Sequence, residues 1–336
     1  MEMATLGSCG FILWLVFASS AVTFLATSAA GSSSLNSPSA ILIQVDQSGK
    51  GDYKKIQDAI DAVPSNNVDQ VYILIKPGIY REKIVVPADK PYITLGGTDA
   101  TSTVITWSMG GSNLVETPTV AVLASNFVAR YLTFQNTYGA GAQAVALQVA
   151  GDKAAFYGCR ILSYQDTLLD DVGRHYYSNC YIEGAIDFIC GNGLSLYDKC
   201  HLHSLSDVQG AITAQQRSSP TEDTGYSFIN CKITGVGTSV LGRPWGAYSR
   251  VVFAYSYMSK VVLPQGWDDW NDPSKQKTAF YGEYRNYGPG SSVTERVRWS
   301  HQLTSIEAAP FLTKSWINGR EWLKPLPTRF RKPSWK

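Results

Sequence analysis

The chain has no Asn-x-Ser/Thr triplet, so N-glycosylation is not expected. It has no excess of either charge: 29 Lys and Arg against 27 Asp and Glu leave a formal +2. That mild balance serves solubility and carries no nucleic-acid footprint. No Gly-x-Ser-x-Gly elbow occurs, which argues against the serine-nucleophile hydrolases built on that turn. His is scarce, with His 4 in the whole chain. His201 and His203 alternate on one β-like run but have no third or fourth ligand nearby, so they are read as structural or surface histidines and not as a metal site; no organic cofactor is expected either. Long hydrophobic runs are also missing. The one candidate, Phe11 to Phe24, is too short to span a bilayer comfortably.

That run has a different reading. No Lys or Arg precedes Lys50, and Ser28-Ala29-Ala30-Gly31 supplies small residues after the apolar stretch. Residues 1–30 are therefore expected to be a secretory signal cleaved near Ala30, although Glu2 and the missing basic residue depart from the usual start. Residues 31–40, rich in Ser, read as loose, and residues 326–336 as a basic tail, either solvated or drawn to a polyanion. Five cysteines follow the leader: Cys159, Cys180, Cys190, Cys200 and Cys231. Export permits disulfides, and an odd count leaves at least one thiol over.

The remaining chain repeats. An aromatic residue recurs with an aliphatic one five positions later: Phe127/Leu132, Phe156/Ile161, Tyr177/Ile182, Tyr197/Leu202, Phe228/Ile233 and Phe253/Met258. In four of the six a cysteine stands three after the aromatic. Successive aromatics recur at similar but unequal intervals, with β-rich text and Asn or Gly between. Short strands recurring about every 20–30 residues predict an all-β, parallel solenoid whose coils stack at about 4.8 Å. A β-sandwich with coincidental spacing is the alternative, and six matches weigh against it. Ahead of the repeats, Ile56, Ala59, Ile60 and Val63 form a helical stripe, with Asp52 as its candidate cap and Pro64 at its end. This helix is expected to cover the open end of the solenoid.

Polar segments interrupt the β text at the same period. The step from Gln143 to Gln165 equals the step from Gln165 to Asp187, and the step from Asp166 to Asp187 is one shorter. Consecutive coils should thus bring Gln143, the Gln165-Asp166 pair and Asp187 together on one face. Two carboxylates that close cannot both ionise freely. Arg243 is the candidate cation that would hold one of them charged, leaving one nucleophilic carboxylate and one carboxylic acid. Two amides could donate to an oxyanion, and Trp245 offers a flat face to a sugar ring. Turn roles for the aspartates, an amide ladder for the glutamines, a surface ion pair for Arg243 and a core role for Trp245 are the plainer alternatives. Tyr80 and Glu82 are read as structural.

These residues carry a resemblance. Gly78-Ile-Tyr80-Arg-Glu82, the Gln143 segment, Tyr164-Gln-Asp-Thr-Leu168, Gly184-Ala-Ile-Asp-Phe188, Leu241-Gly-Arg-Pro-Trp245 and Gly266-Trp267 are similar to the plant pectin methylesterase family, from about Ile43 to Leu323. The resemblance implies a right-handed parallel β-helix with a short N-terminal capping helix, residues 41–325, secreted to the cell wall. It implies hydrolysis of the C6 methyl esters of homogalacturonan to pectate and methanol. By the same resemblance Asp187 is the nucleophile, Asp166 the proton donor and acceptor, and Gln143 and Gln165 line the oxyanion hole. Gln143, Arg243 and Trp245 bind substrate. Methyl-esterified pectin is the expected partner, with proteinaceous inhibitors as further ones and a monomer as the expected state.

Two positions depart from the family pattern. Cys190 stands where Phe is usual; strand alternation points it away from the face of Asp187, and it is the expected unpaired thiol. Leu114 aligns with a family threonine that contacts substrate. Relatives with an inhibitor-like pro-domain are common, and only a short stretch separates the leader from Ile41, so none is expected here. A pectate lyase or polygalacturonase on the same fold would want an acidic calcium cluster with a base, or clustered aspartates without the glutamines. A pectin-binding homologue without activity is the third reading, supported only by Leu114 and Cys190.

Overall fold

The computed structural model describes residues 39–335. The expected leader lies outside them, as does most of segment 31–40, while Ser39 and Ala40 already belong to the first strand, Ser39–Val45. The chain then winds as coils that place strands in three sheets of twelve, eight and seven strands, with parallel pairing. This is a right-handed parallel β-helix.

The repeat read from the sequence is the interior of this solenoid. Phe156, Tyr177, Tyr197, Phe228 and Phe253 pair in register on successive coils. Their rings stack at centroid distances of 5.0, 4.6, 4.3 and 4.4 Å, each stacked pair contributing about 0.5–1.5 kcal/mol beyond area burial. Ile161, Ile182, Leu202, Ile233 and Met258 form the matching aliphatic row. The first instance is displaced. Ala129, not Phe127, pairs with Phe156, and Phe134, not Leu132, pairs with Ile161. A shift of two is one full strand period, so Phe127 still points inward, and Leu132 stands in the row that cysteines fill in later coils.

A second feature sets the coil geometry. Gly158, Asn179, Lys199, Asn230 and Tyr255 all have φ between 52° and 59°. Each follows a strand of the twelve-stranded sheet and turns the chain toward the eight-stranded one. In the first four the next residue is a laddered cysteine, buried in the core. These thiols donate to carbonyls one coil back: Cys180 to Phe156 at 3.6 Å, Cys200 to Tyr177 at 3.5 Å and Cys231 to Tyr197 at 3.4 Å. Among the described residues Cys190 is unpaired as expected, and so are the four laddered cysteines, which no disulfide joins. Burial holds the Cys159, Cys180 and Cys200 thiols well above the ordinary range, which starves them of the thiolate that disulfide exchange requires.

The N-terminal helix runs Ile56–Asp61 and buries Ile56, Ala59 and Ile60. Asp52 is not its cap. The Asp52 carboxylate accepts from Gln44 N at 2.8 Å, and the helix's free amides of Ile56 and Gln57 are held by Glu82 at 3.0 and 3.1 Å. Tyr80, fully buried in the same segment, donates to Lys76 O. The basic tail also has structure. Arg329–Arg331 pairs with Ser39–Ile41 as the outermost strand of the twelve-stranded sheet, and Arg331 meets Asp69 at 2.9 Å. The C-terminal chain thus covers the edge of the first strand over Ser39–Ile41 with a short, charged strand. His201 and His203 both bond the Thr234 hydroxyl at 2.7 Å.

Candidate active site

The site sits where coils enter the seven-stranded sheet. Leu147, Leu168 and Ile189 pair in register on three successive coils. The offset that carries Leu168 onto Ile189 also carries Asp166 onto Asp187, so the aspartates are neighbours on adjacent coils, and the bridge between Gln165 and Ile186 fixes that alignment. Both aspartates hold left-handed backbone, φ 56° and 49°. Asp is one of the few residues that tolerates this region, and non-glycine residues held there cluster at functional sites. The conformation turns each side chain out of the strand's alternation.

The two carboxyls meet different surroundings. Asp187 is 6% exposed and is gripped by both arms of Arg243, Nε to Oδ1 at 2.7 Å and Nη2 to Oδ2 at 2.6 Å. Arg243 is itself fixed by an aromatic neighbour, its guanidinium 4.1 Å from the Trp270 ring centre. The residue before it must be glycine: a Cβ on Gly242 would stand 2.2 Å from the Thr213 hydroxyl and 3.2 Å from the Trp267 ring. Asp166 is 5% exposed, and its Oδ2 is buried without a hydrogen-bond partner. Burial first, then the charge of Asp187, push the Asp166 carboxyl up to about 7, against the pull of Arg243 and the Gln143 amide. Burial raises Asp187 as well, but there the Arg243 fork and its charge are the chief opposing influence. A paired carboxylate and an unpaired acid in one pocket is the environment-split arrangement that general acid–base chemistry uses.

Gln143, Gln165, Asp166, Asp187, Arg243 and Trp245 all line this one cleft. Trp245 is 38% exposed, so it is a wall of the cleft and not core. The two glutamines are not register partners, because their spacing exceeds the coil offset by one; turn geometry brings both to the opening. Two departures from the family pattern are in the cleft. Leu114 heads a short helix, Leu114–Glu116, and lines the opening. Cys190 was expected to point away from Asp187; instead it lines the same cleft. The left-handed turn at Asp187 breaks the strand alternation, so Ile189 takes the core side and Cys190 the outer side, in a patch with Val145, Leu169 and Ala214. Trp270, which supports Arg243, escaped the sequence reading; its only signal was nearness to Gly266-Trp267.

The pectinesterase family model matches residues 42–320. The chain belongs to the pectinesterase family. It is a carboxylic ester hydrolase. Among its relatives, Putative pectinesterase 11 of Arabidopsis thaliana is 60% identical over 301 residues, covering 89% of this chain and 85% of that protein. Among solved structures, a pectin methylesterase from carrot superposes with a TM-score of 0.82 at 38% identity, over 84% of this pectinesterase and 96% of the carrot chain. A pectin methylesterase solved in complex with a hexasaccharide matches at TM-score 0.72 and 26% identity, over 86% and 98% of the two chains.

Proposed function

We propose that this pectinesterase removes the C6 methyl esters of homogalacturonan, giving pectate and methanol, with Asp187 as nucleophile. The observation that carries the reading is the pair of aligned aspartates, one forked by Arg243 and one with an unpartnered buried oxygen. An Asp187 oxygen attacks the C6 carbonyl carbon, and the amides of Gln143 and Gln165 donate to the oxyanion. Asp166 gives its proton to the departing methoxide, and an acyl anhydride on Asp187 results. Asp166, now ionised, takes a proton from water, which cleaves the anhydride and restores both acids. Gln143, Arg243 and Trp245 bind the chain, and Trp245 stacks on a sugar ring.

The catalytic unit spans residues 41–325 together with Ser39, Ala40 and the strand Arg329–Arg331 that join its sheet, preceded by a secretory leader over residues 1–30 and a short link. The enzyme acts as a secreted monomer in the cell wall, where pectin is its substrate and proteinaceous inhibitors are its partners. No helix among the described residues is long and apolar enough to cross a membrane. The test is to assay highly methylated pectin for methanol and for chain length together. Methanol release with polymer length preserved is expected; chain shortening without methanol would replace the esterase reading with a lyase or backbone hydrolase.

A further inference from the structure

A second cleft lies on the outer face of the twelve-stranded sheet, away from the seven-stranded sheet that carries the aspartates. Its cavity measures ≈ 120 Å³, between the sheet surface and the segment from Trp322 to Pro327. Three cations line it, Arg130, Lys153 and Lys324, and no acid does. Arg130 is laid flat, its guanidinium carbon 4.0 Å from the Tyr157 ring centre, and its Nε is buried without a hydrogen-bond partner. Among the described residues Arg130 and Lys153 make no ion pair. The acid next to Lys153, Asp152, is engaged by Arg174 at 2.6 Å. Tyr92 and Lys153 both sit in left-handed backbone, φ 64° each, on the loops that rim the cleft. Tyr92, which is exposed, supplies an aromatic face, and Pro325 and Pro327 an apolar wall.

Arg130 is partly buried and its Nε has no acceptor, a costly feature unless one arrives. The cations call for an anion, and the aromatic and proline walls for a ring with an apolar face. We infer that this cleft is a second, non-catalytic site for an acidic sugar, a uronate unit of de-esterified galacturonan, with its carboxylate on Arg130 and Lys153 and its ring face against the exposed Tyr92. The identity of the ligand rests on the proposed esterase reading, since free uronates are what that reaction releases. Such a site would hold the enzyme to stretches it has already de-esterified.

The experiment titrates the full chain with a free-acid galacturonate trimer by calorimetry, beside Arg130→Gln and Lys153→Gln. Two binding events are expected for the unaltered chain. Arg130→Gln should weaken one of them at least about tenfold and leave the other, as loss of one charge-assisted contact implies. Lys153→Gln, at a rim position, guards against a folding defect in the first variant and should weaken the same event. Methanol release from a methyl-esterified trimer should be unchanged in both. A single event indifferent to both variants would overturn the proposal. Equal binding of the fully esterified trimer, or equal displacement by inorganic sulfate, would overturn the uronate assignment. Should methanol release be absent while the Arg130-dependent event persists, the esterase reading fails and this site stands.

Discussion

Replacing Asp166 with Asn keeps the side chain's shape and removes its titration, so it isolates what the buried acid costs. In the folded chain the carboxyl is held at about 7 against an ordinary 3.8, through burial and then the charge of Asp187. The unfolded chain gives up that proton near 3.8. Between about pH 4 and pH 7 the folded state therefore binds a proton that the unfolded state has released, and stability falls as pH rises through this window. Below it the contribution is intact; above it the loss is complete and constant. Moving a carboxyl from 3.8 to about 7 corresponds to about 4 kcal/mol, and relaxation of the cleft brings the expected loss to about 2–4 kcal/mol. Asn at this position escapes that loss. Thermal unfolding of both proteins at about pH 4 and about pH 8 measures it. The advantage of Asp166→Asn over the unaltered chain should grow by about 4–8 °C from the lower to the higher pH, at about 2 °C per kcal/mol for a chain of this size. A difference that does not change with pH would refute the raised acid and, with it, the reason for making Asp166 the proton donor.

Other consequences follow from single contacts. Methanol release should fall on the alkaline side with a midpoint near pH 7, about tenfold per further pH unit, because the donor must be protonated; a flat rate from about pH 6 to pH 9 would exclude Asp166 from that role. Arg243→Lys should lower kcat/KM by about 10–100-fold, since a point ammonium cannot reproduce the two-armed grip on Asp187; unaltered kinetics would show that the fork is dispensable. Glu82→Ala should cost about 1–2 kcal/mol by freeing the amides of Ile56 and Gln57, read as a Tm about 2–4 °C lower with methanol release retained; an unchanged Tm would show that water caps the helix equally well.

Periodicity made the solenoid legible. Aromatics, aliphatics and cysteines recur because stacked coils place like residues in contact, and five of the six aromatics fall in one register as spaced. The acids were legible for the same reason, their spacing being the coil offset. What stayed hidden depends on backbone sign and on distant chain. Strand alternation put Cys190 on the wrong side because nothing in the text marks Asp187 as left-handed. A local cap was sought for the first helix, yet Glu82 reaches it from the far end of the next coil turn. The tail's return to Ser39–Ile41 joins opposite ends of the described chain, beyond any local pattern. Trp270 gained its place beside Arg243 only through the loop that follows Trp267.

The central claim is that the carboxylate gripped by Arg243 attacks the ester. Asp187→Asn, shown to be folded by its thermal transition, should release methanol from highly methylated pectin about 10⁴-fold more slowly than the unaltered enzyme. Methanol release at the unaltered rate from a folded Asp187→Asn protein would contradict it.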